Sequence, residues 1–226
     1  MKLLLNFMEL TYYTPLVLLV ETFITAVIAF HNRHKFKILR FFPYYILLSA
    51  AQTLLCFILI IYRPVFAVRV SGLSIYVFIV LEFFVVYFFL FEVIRSRYFK
   101  KIMYILMALF ISIIIYSWYS EHPLSTTPIS VSLTNSLCLI IPCLFYFYET
   151  FKSPPMVSLS KQPAFWIVTG FLFMITCTLP FYLLEDYIHE NMLDLYVQIY
   201  ILNNVFYCLL FLLISKAFLC KSEISK

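Results

Sequence analysis

Few side chains in this chain are equipped for chemistry, and those few stand in unusual places. Glu82 lies in the middle of the apolar run 72–94, and Glu21 lies inside the run 9–30. A carboxylate at the centre of a bilayer costs from ~3 to more than ~10 kcal/mol, depending on the scale. Such a group must face a protein interior or a water-filled cavity and pair there. At about 1.5 Å per residue from the nearest end of each run, Gln52, Asn135, Asn203 and Asn204 reach a similar depth. Glu82, Glu21, Gln52, Asn203 and Asn204 are therefore the candidate ligand-binding or proton site. Two nearby acids can share one proton, whereas Asn and Gln alone act as helix glue at ~0.6–2 kcal/mol per bond. On a helix, Glu82 shares its face with Phe78, Ile79, Val85, Val86 and Phe89. Its partner is thus expected from another helix, with Gln52, Glu21 and the Asn203–Asn204 pair as candidates.

Other chemistries find little support. His31, His34, His122 and His189 all lie outside the apolar runs, and no H-E-x-x-H spacing occurs. His122 beside Glu121, and His189 beside Glu190 and near Asp186, offer at most a weak metal or pH-sensing group, so no metal or cofactor is expected. No histidine shares a depth with a buried serine or cysteine, which argues against a nucleophile–base pair. Gly72 and Gly170 are the only glycines, too few for a phosphate-cradling loop. The six cysteines, Cys56, Cys138, Cys143, Cys177, Cys208 and Cys220, form no C-x-x-C pair and read as small packing residues. No catalytic residue is assigned, and an enzyme is not the expected class. Glu92 with Arg95 and Glu149 with Lys152 are spaced for local ion pairs.

The elements that must position these residues follow from composition. Of 226 residues, 64% are hydrophobic and 12% charged, against about 25% charged in soluble domains. Seven apolar runs, 9–30, 41–62, 72–94, 102–119, 128–149, 163–184 and 196–220, approach the ~20 residues that cross a bilayer. They predict an all-α, seven-transmembrane-helix bundle forming a single domain over 1–226. Continuous rather than alternating apolarity excludes barrel strands. Prolines at Pro142 and Pro180 are possible hinges, since each lacks the backbone N–H that a helix uses.

Charge sets the expected orientation. Loops 31–40 and 95–101, the connection after the fifth run and the C-terminal segment hold thirteen of the sixteen Lys and Arg. The opposite loops carry Glu121, Glu185, Asp186, Glu190 and Asp194. The positive-inside rule then places the N-terminus outside and the C-terminus in the cytoplasm. The net charge of +5 is a topology signal, so the expected partner is the lipid bilayer and not nucleic acid. The first run, with one lysine before it and four basic residues after it, reverses the secretory pattern and is expected to remain as a span. Tyr12, Tyr13, Tyr44, Tyr45, Tyr116, Trp118, Tyr119, Trp166 and Tyr187 fall near run ends and read as an interfacial belt.

Two resemblances bear on function. Seven spans with Glu82 and Glu92 in the third look superficially like a microbial rhodopsin. That family needs a lysine midway along the seventh helix, whereas the only one here, Lys216, is close to its end. The stretch Gln162-Pro163-Ala164-Phe165-Trp166-Ile167-Val168-Thr169-Gly170 resembles the Pro-x-Phe-Trp-Ile-x-x-Gly signature of a loose group of small seven-helix inner-membrane proteins of Gram-negative bacteria. Ile201-Leu202-Asn203-Asn204-Val205-Phe206-Tyr207 resembles their seventh helix. The resemblance implies a receptor-like, multi-pass protein of the bacterial inner membrane, with no established activity. The expected function is a sensory or interaction module that holds a small apolar or amphipathic ligand between spans one, two, three and seven. A membrane or cytoplasmic signalling partner would meet the basic loop Arg95–Lys101. The rival class is a small-solute or proton-coupled transporter. A shift of about 120 residues lays the first three runs on the last three, the three-plus-one-plus-three pattern of some carriers.

Overall fold

The computed structural model describes residues 2–34, 39–62, 64–120, 129–153 and 158–220, with side chains for most of them. Every regular element in this range is helical. In chain order they are α1 (Lys2–Asn32), α2 (Phe42–Tyr62), α3 (Pro64–Val93), α4 (Arg97–Ser120), α5 (Ile129–Lys152), a short 3₁₀ turn (Leu159–Lys161), α6 (Pro163–Asn191) and α7 (Leu193–Leu219). Six of the seven helices are long and apolar enough to cross a membrane, and α2 contains a shorter apolar stretch, Phe42–Ile58. The chain is therefore a multi-pass membrane protein.

Several helices outrun their apolar runs. α3 begins at Pro64 rather than at residue 72, and α6 continues to Asn191. A helix stops where its backbone is interrupted, not where its apolarity fades, and proline suits the first helical position. Pro163 starts α6 in the same way. Pro15, Pro142 and Pro180 lie inside α1, α5 and α6, which continue through them.

Six helices form a closed ring in the order α1, α2, α3, α5, α6, α7, with α7 packed back on α1. α4 stands outside, against α5 and the outer face of α3. Phe110 of α4 meets Phe83 with ring centroids 3.8 Å apart, and Tyr76 donates to the Ile114 carbonyl at 2.9 Å. Helices α1 and α7 run parallel. Thr14 meets Asn204 and Thr25 meets Ser215, a constant offset of 190 residues along the seam. Where α6 crosses α7, a Cβ on Gly170 would lie 3.0 Å from Leu210 Cδ1. The missing side chain at Gly170 leaves room for the Leu210 and Leu213 side chains to seat against α6, the role small residues play where membrane helices pack.

The local ion pairs expected for Glu92 and Glu149 are not what the structure shows. Glu149 turns to the α3–α4 connection and accepts the backbone N–H groups of Arg95 at 2.9 Å and Ser96 at 2.8 Å. Amides ahead of a helix lack partners within it, so a carboxylate there outcompetes a surface lysine. Lys152 lies over the Tyr148 ring instead, and Glu92 is exposed.

Candidate functional site

The polar groups divide between a cavity and a sealed cluster behind its wall. The cavity holds about 300 Å³ and is bounded by α1, α2, α3, α5, α6 and α7. It lies at the α6–α7 end of the bundle, between Pro15 and Leu18 on α1, Ile75 to Ile79 on α3 and Tyr196 to Tyr207 on α7. The expected bounding helices were α1, α2, α3 and α7, and the ring adds α5 and α6. Proline supplies one reason for space here. Pro15 lines the cavity, and Pro180 sits between the lining residues Thr178 and Phe181. Each removes a helix hydrogen bond and crowds the preceding turn.

Gln52, Asn203 and Asn204 reach the cavity as expected. Gln52 donates to Ser74 Oγ at 3.2 Å and to Cys56 Sγ at 3.4 Å. Asn204 donates to Thr14 Oγ1 at 3.4 Å, tying α7 to α1. Asn203 Oδ1 is buried without a hydrogen-bond partner among the described residues. An orphaned buried acceptor is costly, and this one is closed off from the open space even though Asn203 borders it.

Glu82 does not line this space. It is 3% exposed, and its carboxylate accepts the Tyr45 hydroxyl at 2.7 Å. Asn135 of α5 reaches the same carboxylate through its side-chain amide, leaving its own Oδ1 buried and unpaired. Tyr207, a cavity-lining residue bonded to Tyr182, lies near Glu82. The expected partners Gln52, Glu21 and Asn203–Asn204 are thus replaced by Tyr45 and Asn135. A phenol is a sufficient donor without bringing a second charge into the membrane. Tyr45, expected in the interfacial belt, is 1% exposed, while its neighbour Tyr44 is 57% exposed and fits that belt. One helical step of ~100° separates the two outcomes.

Glu21 stands apart from both groups. It lies on the α1–α7 seam beside the Cys208 thiol, with Oε1 buried and lacking a hydrogen bond among the described residues. Glu21 and Glu82 are therefore not paired, which removes the shared-proton arrangement. Glu121 and His122 lie outside the described residues, as do the side chains of Asp186, His189 and Glu190.

The sequence reading missed Tyr45, Tyr182, Tyr196, Tyr200 and Tyr207. A signal for them was present. Tyr45, Ser49, Gln52 and Cys56 follow the i, i+4, i+7, i+11 spacing of one helix face, as do Tyr196, Tyr200, Asn203 and Tyr207. Both stripes face the ring interior. No known family model, curated protein or solved structure matches the chain.

Proposed function

We propose that this is a seven-span membrane protein that binds a small apolar or amphipathic ligand between its helices and acts as a sensory or interaction module. The cavity of about 300 Å³ carries the reading. It has the size and mixed lining typical of small-molecule sites. Six helices border it, so a ligand there biases their arrangement in proportion to its differential affinity for each state. Gln52, Asn203 and Asn204 are the polar contacts, and Glu82 supports the wall from behind. Glu21 holds the α1–α7 seam.

In this reading α2 crosses the bilayer with the other six helices. The α6–α7 end faces outward and the C-terminus lies in the cytoplasm of a bacterial inner membrane, as the distribution of Lys and Arg supports. Arg95, Arg97, Lys100 and Lys101 then face anionic lipid or a signalling partner.

Titration with N-phenyl-1-naphthylamine, an apolar fluorophore that brightens out of water, tests the reading. Wild-type protein in lipid nanodiscs should give saturable brightening above empty discs. Asn203→Trp, whose indole takes up much of the open space, should lose it. Equal signals from the two proteins would sink the proposal.

The ring order favours a second reading, a small-solute or proton-coupled transporter. Exchanging α1–α3 with α5–α7 maps the ring onto itself and leaves α4 outside, as parallel repeats in a carrier would. Wild-type proteoliposomes that accumulate a solute down a proton gradient would favour it over the sensor.

A further inference from the structure

We infer that the cavity selects a small organic cation, an amine or quaternary ammonium headgroup on an apolar body. The inference rests on the cavity being a ligand site and names the chemistry it takes. The walls combine aromatic rings with aliphatic and neutral polar side chains. Seven of the lining residues are aromatic, four of them tyrosines, Tyr182, Tyr196, Tyr200 and Tyr207. Aromatic faces carry the negative end of the ring quadrupole and attract ammonium groups, most strongly where water is excluded. The described lining includes no Lys, Arg or His.

A third observation lies behind the wall. Tyr45 of α2, Asn135 of α5 and Tyr207 of α7 face the Glu82 carboxyl, and none of them is cationic. Tyr207 belongs to both groups, lining the cavity and standing against Glu82. A cation in the cavity would lie near the electronegative oxygens of that carboxyl, with Tyr207 bordering both. A neutral apolar ligand makes no use of the carboxyl, and an anion meets aromatic rings and a carboxyl with no cation in the described lining to pair it. An electropositive headgroup is the one class that every feature favours.

The test compares choline with 3,3-dimethylbutan-1-ol, its uncharged carbon isostere, by calorimetric titration of the full-length protein. Nanodiscs of phosphatidylethanolamine and phosphatidylglycerol keep the discs free of choline headgroups, and empty discs supply the baseline. Choline should bind at least tenfold more tightly than the isostere. Tyr200→Phe, which keeps the ring, should retain that preference, and Tyr200→Leu should lose most of it. Glu82→Gln should lower it several-fold. In discs of phosphatidylcholine, surviving choline binding assigns a free solute, and lost binding assigns a lipid headgroup of the same chemistry. Equal affinity for the two isosteres, or no binding of either, overturns the inference. If N-phenyl-1-naphthylamine still binds saturably in that case, the ligand-binding reading stands without it. If the fluorophore also fails, both fall.

Discussion

The two ends of this bundle are built from the same residue types and packed in opposite ways. At the α3–α4 end the ring is filled. Phe42 meets Phe89 edge-on at 5.0 Å and Phe171 at 6.3 Å, and Phe171 also meets Tyr45 at 6.0 Å. Phe42, Tyr45 and Phe171 are each no more than 1% exposed. At the α6–α7 end, phenylalanines and tyrosines from the same helices stand around open space. Aromatic content alone therefore does not decide whether a membrane bundle closes. The filled end projects its rings along shared faces into one layer, while the open end has prolines in two helices and polar side chains between its rings. Glu82 marks the border, held by Tyr45 from the filled side and facing Tyr207 on the open side.

Substitutions can break this contrast. The largest effect is expected at Phe42→Ala, which leaves a void in the filled layer and should cost about 3–5 kcal/mol. Phe181→Ala, on a wall that is already half open, should cost well under half of that. Thermal unfolding of both variants in nanodiscs measures the difference, and equal losses would mean the two ends are packed alike. Tyr45→Phe keeps the ring but removes the hydroxyl that Glu82 accepts. It should cost about 1–3 kcal/mol, with the loss suppressed in a Glu82→Leu background in a double-mutant cycle. An additive cycle would show that the hydrogen bond contributes nothing.

Glu149→Ala sharpens the comparison at the loop that closes the filled end. Two backbone amides lose their acceptor, and about 0.5–2 kcal/mol should be lost. Faster amide hydrogen exchange at Arg95 and Ser96 should accompany the loss, and unchanged exchange there would count against the cap. The smallest effect on stability belongs to Asn203→Leu. It removes a buried oxygen that has no partner among the described residues and nearly keeps the side chain's shape, so unfolding should shift by no more than about 0.5 kcal/mol. A large destabilisation would make Asn203 part of the packing and not of the site.

The long helices were legible in the sequence because twenty apolar residues have few alternatives in a bilayer. The polar depth of Gln52, Asn203 and Asn204 was legible too, and these residues do reach one cavity. Their relation to Glu82 was not. Depth along a helix axis follows from counting residues, but azimuth around it depends on which neighbour each helix turns toward. The adjacent residues Tyr44 and Tyr45 show the cost of that missing angle, one facing outward and the other bonded to a carboxylate. Helix ends escaped for a related reason. Pro64 starts α3 in a stretch that also contains Arg69, where hydropathy falls but the backbone continues. Glu149 was misread because spacing along α5 shows Lys152 and hides a loop that lies 54 residues away in sequence.

The α1–α7 seam imposes a delay on biosynthesis. Glu21, Thr14 and Thr25 leave the ribosome with α1, but their partners Cys208, Asn204 and Ser215 sit on the last helix. At about 5–20 residues per second, the 190 residues between Thr14 and Asn204 take roughly ten to forty seconds to make. Through that interval the nascent first helix holds a carboxyl and two hydroxyls in or near the insertion machinery with no permanent neighbour. The last helix thus supplies partners that the first must wait for, and a chain stopped before α7 leaves the ring open.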